Sequence, residues 1–251
     1  KNPLQFDFLY SIGLILSYCK SILNIPLNLY SYLCMNYNLY YKNINQLENI
    51  EEQKDTPILG KIISWNIQYG NGCFPNCFTF PKIIEFLRNE TPEICILQEV
   101  LDMPQYNQHN ILKDKLIFHH SVYTPQSCFS NIKMGNLILS SNPIDIVYSS
   151  LCFQVAETEV NHKKISIVNV HLTSDITCTV QNLEVDKLLE ILKQKENILV
   201  VGDFNLPYWC SSIKKLKKEL QIVPTSSYTF PSVYPIIQFD YCFYRNLENI
   251  N

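Results

Sequence analysis

The chain has 251 residues, 47% of them hydrophobic and 17% charged, with a formal net charge of −3. This hydrophobic content is sufficient for a sizeable buried core, and the lack of a basic excess argues against a protein that grips duplex DNA with its whole surface. A local basic groove on an acidic protein is still compatible with these numbers, so composition weakens a nucleic-acid substrate without excluding it.

The N-terminal part differs in residue composition from the rest of the chain. Residues 4–41 are apolar and rich in tyrosine, with Lys20 and Pro26 as interruptions. A bilayer span takes about 20 uninterrupted apolar residues, so two alternatives stay open: a membrane-spanning or interfacial anchor, and helices packed on the following domain. The acidic stretch up to Thr56 predicts a linker or a solvated helix end. We therefore divide the chain into an extension with its linker, residues 1–56, and a domain over residues 57–251.

The cysteines indicate the compartment. Ten are present, with no repeated spacing: Cys19, Cys34, Cys73, Cys77, Cys95, Cys128, Cys152, Cys178, Cys210 and Cys242. We expect buried thiols in a reducing intracellular compartment. The close pair Cys73 and Cys77 lacks two further partners at zinc-site spacing, and a local disulfide is the alternative in an exported protein.

Abundant Lys, Asn and Ile indicate an A/T-rich coding sequence, such as that of a large DNA virus or a protist.

Short apolar strands alternate with amphipathic helices from Lys61 onward. Strands are predicted over residues 61–67, 93–97, 116–123, 135–140, 165–170 and 198–202, and helices over 80–89, 180–192 and 213–220. Residues 102–115 show only a weak pattern, and residues 228–244 are strand-like around a turn. Because the strands alternate with helices but also follow one another in pairs, we predict mixed sheets.

Polar residues stand at the ends of several of these strands. They are Asn66, Glu99, His171, and Asp203 with Asn205. Ligands of open α/β sheets gather at strand ends. Alternation along an extended segment places Asp203 and Asn205 on one side, although an Asx turn closing the strand would explain this pair alone.

These residue types suit the hydrolysis of a phosphate ester. Mg²⁺ prefers oxygen ligands and keeps several waters, so Glu99 and Asn66 are the predicted metal ligands. Asp203, as an acceptor, can aim a water in line with the leaving oxygen, Asn205 can donate to a phosphate oxygen, and a protonated His171 can do the same with charge assistance.

Six stretches in order resemble the endonuclease/exonuclease/phosphatase superfamily, which includes DNase I, exonuclease III-like abasic-site nucleases and Mg²⁺-dependent sphingomyelinases. They cover residues 64–67, 97–100, 135–144, 168–172, 202–205 and 228–241. The resemblance implies a four-layer α/β sandwich, in which two mixed β-sheets pack face to face with helices outside. It also implies Mg²⁺ or Mn²⁺ at Asn66 and Glu99, phosphate-binding and catalytic roles for His171, Asp203 and Asn205, and an Asp240 that pairs with a catalytic histidine.

One departure from the family pattern concerns that histidine. The family carries a Ser-Asp-His motif after the Asp-Tyr strand, whereas the chain has no histidine after His171. Two expectations follow: a fragment that lacks its last strands, or a catalytically impaired member that acts as a binding or scaffold protein.

The substrate class is left open. Nucleic acid, a phospholipid head group and a soluble phosphoester all fit the resemblance, and residues 4–41 mildly favour a membrane-proximal, sphingomyelinase-like phosphodiesterase. Tyr123 could contact a phosphate, and Asn136 could do so or could have a purely structural role at its strand. No protein partner can be inferred.

Overall fold

The computed structural model describes residues 37–40, 60–71, 78–129, 131–160, 162–175, 177–225, 228–231 and 234–247. The strands are β1 (Tyr37–Tyr40), β2 (Ile62–Asn66), β3 (Ile94–Met103), β4 (Tyr106–Asn107), β5 (His120–Phe129), β6 (Ile132–Ser140), β7 (Ile144–Ser149), β8 (Phe153–Val160), β9 (Lys163–His171), β10 (Asn197–Asp203), β11 (Gln221–Ile222) and β12 (Asp240–Arg245). The helices are α1 (Phe80–Glu90), α2 (Gln108–Leu116), α3 (Thr179–Leu192) and α4 (Ser211–Glu219), with a short 3₁₀ turn at Gln68–Gly70.

The strands form two six-stranded sheets. The first has the order β1-β2-β3-β6-β5, with β4 paired to β3, and the second has the order β11-β12-β10-β9-β8-β7. Both are mixed, since β2 runs parallel to β3 and β9 parallel to β10 while the other pairs are antiparallel.

Three apolar clusters separate four layers. The middle cluster joins residues of the first sheet, such as Ile96, to residues of the second, such as Ile167. A second cluster packs Leu87 of α1 and Leu112 of α2 on the outer face of the first sheet, and a third packs Leu188 of α3 with α4 on the outer face of the second. The predicted four-layer α/β sandwich is therefore confirmed.

Several element predictions were wrong in detail. The weakly patterned residues 102–115 hold all but the last residue of α2, and the strand predicted over 116–123 begins only at His120. Helix α2 fully buries one apolar side chain, Leu112, beside the polar Gln108, which is too little to show a helical period in the sequence. Strands β7 and β8 were also not predicted, and β3 continues past residue 97 to Met103.

Two predictions lie outside the described residues: the character of the N-terminal extension, of which only β1 is described, and the fate of Cys73 and Cys77. Within the described part of the chain, every helix is too short or too polar to cross a bilayer.

Candidate active site

Three polar residues lie side by side at one edge of the second sheet. Strands β9 and β10 pair His171 with Asp203, and β12 pairs Asp240 with Asp203. Gly202 permits this approach, because its φ is +143° and a Cβ there would lie 2.0 Å from the carbonyl oxygen of Val170. Since directly paired residues of neighbouring strands share a face, the register brings one imidazole and two carboxylates together.

Glu99 reaches this row from the first sheet through a β-bulge. The register of β3 against β6 shifts between Leu97 and Val100, and Glu99 has a φ of 55°, which is uncommon for a residue with a side chain. The bulge interrupts the alternation of side chains. Gln98 consequently lies between the sheets, whereas Glu99 lies at the edge beside the row.

Asn66, the last residue of β2, connects the two sheets at this point. Its Nδ2 donates to Glu99 Oε1 at 3.1 Å and to Asp203 Oδ2 at 3.2 Å. The backbone N–H of Gln68 donates to Asn66 Oδ1 at 3.1 Å, and this bond fixes which end of the amide faces the carboxylates. The oxygen of Asn66 keeps one lone pair for another partner.

His171 is held by a side chain of the first sheet. Gln126 Nε2 donates to the carbonyl oxygen of His171 at 3.3 Å, and Gln126 Oε1 lies 2.8 Å from His171 Nδ1. Because a carbonyl can only accept, the Gln126 amide must present its oxygen to the ring, so the Nδ1 atom carries a proton. The Nε2 atom faces Glu99 Oε1 at 3.6 Å.

The turn after β10 places Asn205 against Asp203. The backbone N–H of Asn205 donates to Asp203 Oδ1 at 2.9 Å, and Asn205 Nδ2 donates to the carbonyl oxygen of Leu172 at 2.9 Å. This is an Asx turn, with Asn205 at a φ of 50°. The turn and a functional role are compatible, since the amide of Asn205 retains a second N–H.

The surroundings of Asp203 make its carboxyl group less acidic than that of an ordinary aspartate. Burial is the main cause that raises the pKa of Asp203, and the nearby charge of Glu99 raises it further. His171 and the hydrogen bonds from Asn205 and Asn66 lower this pKa in part.

Asp240 is even more enclosed, with 2% of its surface exposed. Burial, followed by the charge of Asp203, raises the pKa of Asp240 well above its ordinary value, while a hydrogen bond with Thr229 lowers it. Thr229 Oγ1 also accepts the backbone N–H groups of Phe239 at 3.0 Å and Asp240 at 3.1 Å. Two crowded carboxylates favour a proton or a cation nearby.

The oxygen atoms of this cluster fit a divalent cation. Glu99 Oε2 is buried without a hydrogen-bond partner, and an unsatisfied buried acceptor costs about 1–3 kcal/mol. Carboxylate and amide oxygens are ligands that Mg²⁺ accepts while keeping several waters. No set of three or more His, Cys, Asp or Glu side chains converges as metal ligands among the described residues. Glu99 Oε2 is the oxygen left for a cation here, because the bond from Asn66 Nδ2 to Glu99 turns Asn66 Oδ1 toward the Gln68 N–H. Metal binding by Asn66 stays a prediction.

The two weaker candidates bond to backbone carbonyl groups. The Tyr123 hydroxyl donates to the carbonyl oxygen of Val100 at 3.2 Å, and burial raises the pKa of Tyr123. Asn136 is fully buried, and its Nδ2 donates to the carbonyl oxygen of Asn169 at 3.2 Å. A phosphate contact by either stays a prediction.

Sequence reasoning missed two residues that hold the row. Gln126 lies in β5 at a second register shift, between Pro125 and Ser127, and a glutamine in a strand without a motif gives no signal. Thr229 lies inside a stretch that carried the resemblance, so closer attention to its hydroxyl could have identified it as a partner of Asp240.

Comparisons with known proteins agree with this architecture. The profile of the Endonuclease/Exonuclease/phosphatase family matches residues 63–249. No curated protein sequence matches the chain significantly.

Among solved structures, the human Nocturnin catalytic domain with bound sulfate anion is similar with a TM-score of 0.57 and 17% identity, over 77% of this chain and 83% of that one. Humanized TDP2 of D. rerio is similar with a TM-score of 0.55 and 16% identity, over 76% of this chain and 84% of that one. A β-hairpin deletion mutant of Staphylococcus aureus beta toxin is similar with a TM-score of 0.52 and 16% identity, over 79% of this chain and 89% of that one. At these identities the likeness shows the fold alone.

Proposed function

Because this chain belongs to the endonuclease/exonuclease/phosphatase family, whose members generally hydrolyse phosphoester bonds with the help of a divalent metal, we propose that it is a Mg²⁺-dependent phosphoester hydrolase of the phosphodiesterase or nuclease type. One observation carries the proposal: Asn66 joins Glu99 to Asp203 across the two sheets, beside a buried Glu99 oxygen that lacks a partner.

The proposed roles follow from the hydrogen bonds. Asp203 Oδ1 accepts the Asn205 backbone N–H and Oδ2 accepts the Asn66 amide, and a remaining lone pair of the carboxylate can accept a proton from a water aligned with the leaving group. The second N–H of the Asn205 amide is a donor for a phosphate oxygen. His171 Nε2, directed by Gln126, can donate to a phosphate oxygen when protonated. A bound divalent cation would neutralise charge that develops on the non-bridging oxygens.

Two isosteric substitutions test these roles. We expect Glu99→Gln and Asp203→Asn each to lower metal-dependent hydrolysis of a chromogenic phosphodiester by roughly 10²–10⁴-fold, because each removes a carboxylate and keeps the shape of the side chain. Glu159→Gln, an exposed glutamate on β8, is the matched control and should keep wild-type activity. Circular dichroism would establish that the variants fold. Wild-type rates in either site variant would contradict the assignment.

Metal dependence is tested separately. Hydrolysis should require added Mg²⁺ or Mn²⁺ after chelation and should return when either is supplied, since the Glu99 and Asn66 oxygens suit hard cations. Full activity in EDTA without added metal would contradict the proposed metal-dependent mechanism.

The substrate needs a panel measured with Mg²⁺. It would contain supercoiled plasmid, abasic duplex DNA, single-stranded RNA, sphingomyelin, inositol phosphates and a chromogenic phosphodiester. A preference for sphingomyelin would favour the membrane-proximal alternative, and a preference for a polynucleotide would favour the nuclease alternative. No turnover of any of them would overturn the proposed activity.

A further inference from the structure

Two cysteine side chains meet on the loops that leave the candidate active site. Cys178 Sγ and Cys210 Sγ lie 3.0 Å apart, although the two residues are far apart in the sequence. Cys178 is the last residue of the loop that follows His171 and precedes α3. Cys210 is the last residue of the loop that contains Asn205 and precedes α4. The contact therefore joins the two loops that follow the strands β9 and β10.

Both cysteines occupy the N-cap position of a helix, Cys178 for α3 and Cys210 for α4, and neither side chain makes a capping hydrogen bond. Serine, threonine, aspartate and asparagine are the residues that stabilise this position. Cys178 also has a φ of 58°, a conformation that costs a non-glycine residue free energy. Capping thus does not explain the two cysteines, whereas the contact between their sulfur atoms does.

The surrounding bonds hold the sulfur atoms in this position. Asn182 Oδ1 of α3 accepts hydrogen bonds from the hydroxyl groups of Ser211 and Ser212 of α4, and Lys215 Nζ pairs with Asp186 Oδ1 at 2.5 Å. Because the helices are joined independently of the cysteines, the sulfur atoms need to approach by only about 1 Å to reach the S–S bond length.

We propose that Cys178 and Cys210 are a redox-active pair, which a small-molecule disulfide converts into a disulfide bond between the two loops that leave the candidate active site. This inference is independent of the proposed hydrolase activity.

The chemistry is a thiol–disulfide exchange in two steps. Cys178 is the more exposed of the two, and its thiolate attacks one sulfur of the oxidant RSSR, forming a mixed disulfide and releasing RS⁻. Cys210 then loses its proton to solvent and attacks Cys178 Sγ, which releases the second RS⁻. Two protein thiols are oxidised and one RSSR is reduced to two thiols. Burial raises the pKa of Cys210 to about 12, so this residue suits the second step.

The bond would close a loop of about 30 residues, and restricting the unfolded chain in this way should raise the Tm by roughly 5–10 °C. The test incubates the whole protein with oxidised glutathione and then digests it without reduction. We expect a peptide containing Cys178 linked to one containing Cys210, with a mass lower by two hydrogen atoms, together with a Tm increase that dithiothreitol reverses.

Three variants separate this bond from other oxidation products. Cys178→Ser and Cys210→Ser should each lose the linked peptide and the increase in Tm. Cys152→Ser is the matched control: Cys152 is buried in the same apolar cluster as Cys210, and this variant should keep both signals.

Cys178→Ser changes the less buried residue, so it remains informative if Cys210→Ser does not fold. The proposal is overturned if oxidised wild-type protein contains no Cys178–Cys210 peptide, or if Cys178→Ser shows the same oxidative gain in Tm.

Discussion

At the scale of single residues, the orientation of the His171 ring depends on an amide from the opposite sheet. Gln126 bonds to both the carbonyl oxygen and the Nδ1 atom of His171, so ring position and proton position are determined together. Gln126 does not belong to the row itself. It acts through His171, which makes it a positioning residue rather than a catalytic one.

Gln126→Leu should therefore disturb His171 without unfolding the protein. We expect the ring to lose its preference for the Nδ1–H form and the hydrolysis rate to fall by roughly 10- to 100-fold. Gln126→Glu keeps an acceptor for the Nδ1 proton and should retain that form. Ring ¹⁵N chemical shifts of His171 report the tautomer independently of activity. An unchanged tautomer and an unchanged rate in Gln126→Leu would show that the contact has no positioning role.

At the scale of elements, the close pairing of β9 and β10 depends on Gly202. A Cβ at this position would meet the backbone of Val170 at 2.0 Å, and the φ of +143° suits glycine alone. Neither a backbone atom nor this dihedral can adjust cheaply.

We expect Gly202→Ala to lower the free energy of unfolding by about 3 kcal/mol and to separate His171 from Asp203. Gly60→Ala is the control: the atoms nearest to its Cβ all belong to the Glu93 side chain, whose flexible end Oε2 is the closest, so its effect should stay below about 1 kcal/mol. Urea denaturation measures both. Equal effects of the two substitutions would refute the argument.

The opposite end of the second sheet carries an ion-pair cluster. Glu157 of β8 has a side chain with 8% exposure and contacts Lys164 at 2.5 Å and Lys195 at 2.6 Å. Burial opposes its ionisation, yet the hydrogen bonds and charges of the two lysines lower the pKa of Glu157 overall. A carboxylate whose pKa is lowered by folding stabilises the folded state above its unfolded pKa, about 4.3, and this contribution is lost as the pH falls through the folded value.

Glu157→Gln should accordingly destabilise the protein at pH 7 by about 1–2 kcal/mol, a figure reduced because Lys164 is largely exposed. The loss should diminish at acidic pH, where wild-type Glu157 becomes protonated. Thermal unfolding at several pH values measures it, with the exposed Glu159→Gln as the control. A loss that is independent of pH would mean that packing, and not charge, is responsible.

At the scale of the whole molecule, an amide network joins the two sheets inside the core. Asn169 of β9 is fully buried, and its Nδ2 donates to the carbonyl oxygens of Leu97 at 2.9 Å and Leu137 at 3.2 Å. Its Oδ1 accepts from Gln98 Nε2 at 2.8 Å. The network ends beside Glu99, so it sets the spacing of the sheets near the candidate site.

Asn169→Ala should cost about 3–5 kcal/mol of unfolding free energy, because it leaves several buried polar groups without partners. Asn197→Ala removes a single exposed bond to the Lys164 carbonyl oxygen and should cost less than about 1 kcal/mol. Chemical denaturation compares the two variants. A small loss for Asn169→Ala would mean that water replaces its bonds.

Asn66, Glu99, His171, Asp203 and Asn205 could be predicted from the sequence, and the structure brings them together. Each stands at or just beyond a run of apolar residues, and such runs end at the edge of a sheet whatever the detailed packing. The helix α2 and the strands β7 and β8 were missed for the opposite reason: their apolar patterns are short, and contacts with distant segments stabilise them.

Hydrophobic period and strand-end chemistry are local properties, so the pattern of residues was enough to predict mixed sheets with helices and the polar residue types at the strand ends, while the sandwich followed from the family resemblance. Which atoms meet depends on the tertiary structure. Three contacts illustrate this: His171 Nδ1 with Gln126, Asn66 with Asp203, and Cys178 with Cys210. Each joins segments that are at least 30 residues apart in the sequence. Such contacts depend on the register and spacing of two packed sheets, which no local pattern encodes.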